Sequence, residues 1–168
     1  MGKLFGAVLV AATLAMTLVF AHSRAFGQTA KSPDPIFGRW LMDQSKSVNN
    51  RRGDHATFPT QHMRILAPEG DGLRNTLANS PTSPPEYSYS GTFDGKDHTD
   101  QRTPGKDQTL AHWRLAPDLI VRLQKTDGKA SEWVIYTVSS DGKMFTSISW
   151  EPSHPELQDV QVFTRADR

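Results

Sequence analysis

The sequence predicts an all-β domain, an antiparallel up-and-down β-barrel of about eight to ten strands. Three observations carry that expectation. Beyond its start, the 168-residue chain shows short alternating apolar and polar runs and no amphipathic helical run. Three Asp-Gly-Lys triplets, at Asp94, Asp127 and Asp141, interrupt these runs with turn chemistry. The stretch from Gln108 to Trp150 holds four β-type runs joined by turns short enough to connect only antiparallel neighbours. Consecutive hairpins favour a closed barrel, because closure removes exposed edges.

The first residues read as a targeting segment. Met1-Gly2-Lys3 is a short basic lead, and Leu4 to Phe20 is apolar and Ala-rich. Small residues follow at Ala21 and at Ala25-Phe26-Gly27, so cleavage is expected after Ala21 or after Gly27. Residues 1–27 are thus read as a cleavable signal peptide, residues 28–35 as a flexible lead-in and residues 36–168 as the barrel domain. The expected location is periplasmic or secreted, with no stable membrane span after cleavage. Losing Lys3 and Arg24 leaves 17 of the 19 basic residues against 18 acidic ones, a formal charge of −1. A near-neutral domain carries no nucleic-acid footprint. The absence of cysteine excludes cysteine zinc sites, thiol nucleophiles and iron–sulfur ligation.

The strands follow in order. Residues 36–42 form the first, and residues 43–57 wander over the surface with room for a helical turn. Residues 60–67 and 73–79 flank a Pro-Glu-Gly-Asp-Gly turn. Residues 80–85 carry three prolines and are no central strand. Residues 86–93 alternate most cleanly, with Tyr87, Tyr89, Gly91 and Phe93 on one face. A weak strand at 98–102 leads into the four-strand meander. A loop with two prolines follows at 151–156, and residues 159–165 close the barrel with Val160 and Val162 on one face.

Register in the meander is read from its apolar alternation. A three-residue turn at Ala116–Asp118 pairs Trp113 with Val121 and Leu115 with Leu119. At Asp127-Gly128 a bulged loop pairs Arg122 with Glu132 and Val121 with Trp133, whereas a two-residue loop pairs Leu123 with Glu132 and puts a carboxylate inside. The bulged register is preferred, with Trp133 and Ile135 facing inward. A two-residue loop at Asp141-Gly142 continues that face through Ile148 and Trp150. A bulged loop there groups Val134, Tyr136 and Ile148 instead. Since a one-residue slip moves every side chain to the other face, this register decides which aromatics line the interior.

Gly38-Arg39-Trp40 resembles the Gly-x-Trp signature of lipocalins. The longer run from Gly38 to Ser47 resembles the opening of small exported bacterial lipocalin-like proteins. Those proteins share three later features: an aromatic-Asp-Gly-Lys-Asp segment (Phe93 to Asp97), a Ser-x-Asp-Gly-Lys hairpin (Ser139 to Thr146) and a short closing strand (Val160 to Arg165). The resemblance implies a lipocalin-like barrel in which Trp40 plugs the closed end and Arg165, from the last strand, packs across it. It implies no catalytic residues.

The expected function is passive binding of a small, partly apolar or aromatic molecule. Tyr87, Tyr89, Trp113 and Trp133 are the expected ligand-binding residues, and Phe93 and Trp150 complete the inward aromatic set. Gly38, Trp40 and Arg165 are the expected structural residues. The alternative is a structural or protein-interaction module of the cell envelope with a filled core. No enzyme is expected: serine, paired-carboxylate and phosphate-loop patterns are missing. No cofactor or metal is expected either, since the histidines make no ligand spacing. The one cluster with metal-ligand types, His98 with Asp94, Asp97 and Asp100, is explained by turn chemistry. His62 and His112 are placed on outer faces, Glu132 on an outer face or turn, and Arg51-Arg52 in a solvated loop.

Overall fold

A computed structural model of the chain describes residues 34–51, 58 and 61–166. These belong to one compact unit that begins at Pro33. The signal peptide and most of the lead-in lie outside the described residues. Ten strands form a single antiparallel sheet: β1 (Gly38–Met42), β2 (Met63–Glu69), β3 (Gly72–Ala78), β4 (Pro85–Thr92), β5 (His98–Thr99), β6 (Gln108–Ala116), β7 (Leu119–Thr126), β8 (Lys129–Val138), β9 (Met144–Glu151) and β10 (His154–Arg165). Each strand pairs with its sequence neighbours except at β4–β5, and β1 pairs with β10. This is the expected up-and-down barrel, joined through its first and last strands and nearly closed, with β4 and β5 as the edges of the sheet. A three-residue 3₁₀ turn, Gln44–Lys46, is capped by Asp43 and is the only helix among the described residues. No helix among them is long and apolar enough to cross a membrane.

Between β4 and β6 the barrel is sealed by a side chain rather than a ladder. The imidazole of His112 packs against Gly91, where a Cβ would overlap the ring. This close approach is what glycine permits inside a strand. Its consequence is that His112 is fully buried and faces inward, not outward as the alternation suggested.

The meander keeps the expected grouping of side chains but turns it inside out. Trp113 pairs with Val121 as read, but Leu115 is extruded in a bulge and Ala116 pairs with Leu119. At the next hairpin the loop is a two-residue turn with positive φ at Asp127 and Gly128, as a type I′ turn requires. A bulge after Gln124 then shifts the ladder, so that Gln124 pairs with Glu132 and Leu123 with Trp133. Neither candidate register is adopted, although the preferred one gives the same faces. Trp133 pairs with Trp150 and Ile135 with Ile148, the expected continuation. That shared face, with Trp113, Leu115, Val121, Trp133, Ile135, Ile148 and Trp150, is the outside of the barrel. The opposite face, carrying His112, Arg122, Glu132, Val134, Tyr136 and Ser147, is the inside. Strand β10 likewise starts earlier than expected, at His154, and a bulge before Asp159 lets the strand take in Pro155.

The apolar core fills one end. Trp40, Phe145 and Phe163 are fully buried and stack in series, with Trp40–Phe145 and Phe145–Phe163 centroids both 5.4 Å apart. Ile36, Leu73, Ile120 and Val138 pack around them, with Phe37 and Phe93 alongside. Such aromatic pairs add about 0.5–1.5 kcal/mol each beyond the area they bury. Arg165 closes this end: its Cζ lies 4.0 Å from the Trp40 ring centroid, a cation–π geometry worth about 0.5–2 kcal/mol. Its guanidinium also donates to the carbonyls of Pro35, Phe37 and Gly142, tying the entry strand to the β8–β9 loop. Gly38 has no side chain because a Cβ there would collide with that guanidinium.

Candidate functional site

The other half of the interior is polar and rich in guanidinium groups. Arg64 on β2, Arg122 on β7 and Arg102 from the segment after β5 converge on Tyr89 of β4 and Tyr136 of β8. The Tyr89 and Tyr136 hydroxyls lie 3.0 Å apart across the lumen. Tyr89 accepts from Asn75 Nδ2 at 2.8 Å and from Arg122 Nη1 at 2.9 Å. Arg64 donates to Tyr136 at 3.4 Å and to Gln161 at 3.2 Å. Arg102 lies over the Tyr89 ring with its Cζ 4.6 Å from the centroid.

Burying charge is tolerable only where partners offset the lost hydration. Arg102 grips the fully buried carboxylate of Asp100 with Nε and Nη2. Burial disfavours the charged Asp100, but the Arg102 hydrogen bonds outweigh it and hold the carboxyl below its ordinary range. Glu132 bonds both Arg122 and Arg51. It too is pushed toward the neutral form by burial, and the two guanidiniums more than reverse this. Arg51 also bonds Ser149 at 2.9 Å and pairs with Asp159 at 3.0 Å. Asp159 in turn accepts from the backbone N–H groups of Asn50 and Arg51, which pins this segment to the lumen wall. Arg51 is therefore a lumen residue, not a solvated one. Glu132, read as an outer or turn residue, is the lumen's central carboxylate.

Arg64 is the exception. It is 7% exposed, and no carboxylate among the described residues lies within ion-pair distance of it. Its Nε has no hydrogen-bond partner among them. The same holds for Arg122 Nε and for both ring nitrogens of His112. Burial, followed by the nearby Arg122 charge, drives the His112 pKa down to about 3, so the ring is neutral at physiological pH.

These groups enclose a cavity of about 160 Å³ lined by Arg64, Arg122, Tyr136, Ser147, Asp159 and Gln161, among others. Arg51, Tyr87, Arg102 and Glu132 belong both to it and to a wider pocket of about 510 Å³ at the barrel mouth. The smaller space suits a head group; the larger one lies in the range of small-molecule sites.

The expected ligand residues divide. Tyr87 lines both cavities and Tyr89 stands in the polar network, both on the inward side where the alternation of β4 put them. Trp113 and Trp133 do not join them. They stack on each other outside, centroids 6.1 Å apart, and Trp113 packs against the Gly95 turn. Reading the apolar face of the meander as the interior placed them wrongly, because here the charged face points in. Phe93 is in the core as expected, while Trp150 is outside. The His98 cluster does not converge: His98 bonds Asp94 at 2.9 Å, Asp97 pairs with Lys125, and Asp100 serves Arg102. Among the described residues no group of three or more histidines or acids could hold a metal. The residues that sequence reasoning missed are Arg64, Arg102, Arg122, Glu132, Tyr136 and His112. Two signals for them were present: Arg122 and Glu132 fall on one face of the same hairpin, and a strand glycine, Gly91, marks a close approach.

The sequence matches no family model and no curated protein. Solved structures do match. A variant of the fluorescent protein UnaG superposes with a TM-score of 0.58 at 15% identity, covering 80% of this chain and 99% of that one. A Schistosoma mansoni fatty acid binding protein in complex with arachidonic acid gives 0.59 at 10% identity, with 79% and 97% covered. A secretory abundant heat soluble protein from Ramazzottius varieornatus gives 0.57 at 9%, with 79% and 96% covered. At such identities the likeness concerns the fold, and in fold this chain is similar to these antiparallel lipocalin-type and fatty-acid-binding-protein-type barrels.

Proposed function

We propose that the protein is a binding barrel, exported to the periplasm or medium, that takes a small molecule with an anionic group. The observation that carries this reading is Arg64, a guanidinium buried beside a lumen cavity with no carboxylate to balance it. The anion would sit among Arg64, Arg122 and Tyr136, with the rest of the ligand against Tyr87 in the mouth pocket. The fold likeness to a protein that holds arachidonic acid, a carboxylic acid, supports the idea. A binding role is favoured over an enzymatic one because the inward carboxylates Asp100, Glu132 and Asp159 are each committed to an arginine. The polar lining adds an anionic group to the partly apolar ligand expected from the sequence.

A second reading, an envelope interaction module, draws on the band of half-buried apolar side chains along the outer face of β6 to β9. The two separate by calorimetry with alkyl and aromatic carboxylates and their matched alcohols. The binding reading expects saturable one-to-one binding of a carboxylate, with the alcohol at least about tenfold weaker, as loss of a charge-assisted contact implies. Equal affinity for acid and alcohol, or no saturation by any member, contradicts it.

A further inference from the structure

We propose that Tyr89 is the internal counter-ion of the lumen: in the ligand-free barrel it stands as a phenolate facing the arginines, and an entering anion returns a proton to it. The second half of this inference rests on the binding reading above; the first half does not.

A neutral phenol offers one proton and two lone pairs. Around the Tyr89 oxygen, Asn75 Nδ2 and Arg122 Nη1 both donate, which fills both lone pairs. The third neighbour is the Tyr136 hydroxyl at 3.0 Å. If Tyr89 kept its proton, it would have to give it to Tyr136. The Tyr136 hydrogen would then have no protein acceptor among the described residues, since Arg64, its other neighbour, can only donate. As a phenolate, Tyr89 accepts from all three, and the Tyr136 hydrogen has a protein acceptor.

Charge counting agrees. Arg51, Arg64, Arg102 and Arg122 face the lumen against the arginine-paired carboxylates Asp100, Glu132 and Asp159; Glu151 lines only the wider pocket and is exposed to solvent. Among the inward groups one positive charge is left over, and Arg64 is the guanidinium without a carboxylate. A negative charge on Tyr89 balances it. The other titratable groups near Tyr89 do not supply that charge. His112, with its ring centroid 6.0 Å away on β6, is held neutral. Tyr136 has its own ionisation pushed up, by burial above all. For Tyr89, burial opposes ionisation, and Arg122 and then Arg64 overcome it, so its pKa falls below the ordinary phenol value.

The coupling follows from the same charges. An anion beside Arg64 and Arg122 takes over their compensation and removes the reason for the phenolate, so binding and proton uptake go together. Between the free and bound pKa values, affinity falls as pH rises, by up to about tenfold per unit.

The chain contains only three tyrosines, Tyr87, Tyr89 and Tyr136, so phenolate absorbance at 295 nm reads this cluster alone. The full-length protein and its Y89F, Y87F and Y136F variants are titrated between pH 6 and 11. The expected result is a one-tyrosine step below the ordinary value near 10, absent in Y89F, kept in Y87F and moved upward in Y136F. No early step, or a step that survives in Y89F, overturns the assignment; a rotated Asn75 amide accepting the Tyr89 proton would give the first of these. Octanoate is then added. Binding seen by calorimetry with an upward shift of the step supports the coupling, and binding with an unmoved step overturns it. An early step with no octanoate binding keeps the phenolate, removes the coupling to this carboxylate, and points the failure at the binding reading.

Discussion

The two faces of the β6–β9 meander invert the usual relation between polarity and burial. The outer face carries Trp113, Val121, Trp133, Ile135, Ile148 and Trp150; the inner face carries His112, Arg122, Glu132 and Tyr136. The outer face is the more apolar of the two, yet the inner one is the more deeply buried: Arg122 is 5% exposed and His112 fully buried. The lesson is that a barrel interior can be held by paired charges and phenols at one end, provided the other end supplies an apolar plug. Trp40, Phe145 and Phe163 are that plug. The inner polar face is organised by what crosses the lumen, not by what lies next along the strand.

The largest effect expected from this comparison comes from breaking an inner pair. Glu132→Gln leaves Arg122 buried without a carboxylate, so it should cost about 3–5 kcal/mol of unfolding free energy by urea denaturation. A cost below about 1 kcal/mol would mean that this face is solvated.

Next in size is the response to acid. His112 has a folded pKa of about 3 and an unfolded value near 6.5. In that window the unfolded chain binds the extra proton, so stability is full above about pH 6.5 and is lost as pH falls toward 3. Glu132 acts in the same direction lower down: its depressed carboxyl contributes above the ordinary carboxylate pKa and loses that contribution as pH falls through its folded value. Denaturation at pH 7.5 and pH 5 should differ by roughly 1–2 kcal/mol from His112. In His112→Phe the difference should shrink to the remainder left by His62, whose pKa burial also lowers.

On the outer face the effects should be smaller. Trp113→Ala or Trp133→Ala removes half of a stacked, half-buried pair, worth about 1–2 kcal/mol, and should leave ligand affinity unchanged. A loss above about 4 kcal/mol, as for a tryptophan deep in a core, would place these rings inside.

The strand count, the antiparallel order and the relative faces of the meander were legible in the sequence, because alternation and Asp-Gly turns are local signals. The closed end was legible too, through the Gly38-Arg39-Trp40 run and Arg165 of the last strand. Tyr87 and Tyr89 could be placed on the inner face because β4 alternates aromatics with serine and threonine. Which face of β6 to β9 points inward was not legible. That depends on Arg64 reaching Tyr136, 72 positions away, and on Arg51 reaching Glu132, 81 positions away. Taken one strand at a time, Arg122 and Glu132 look like solvent-facing charges; only the closed barrel makes them partners. The bulges at Leu115 and after Gln124 were hidden for a related reason, since each is set by packing of the neighbouring strands.

The central claim is that ligand chemistry lives on the charged inner face and not on the tryptophan-rich outer one. Its most direct test is parallel calorimetry of octanoate on the wild type, on Arg64→Met and on the Trp113→Ala/Trp133→Ala double variant. The account predicts that Arg64→Met loses at least about tenfold in affinity, as for a charge-assisted contact, while the double variant binds like the wild type. Loss of binding in the tryptophan variant with Arg64→Met unaffected would contradict it.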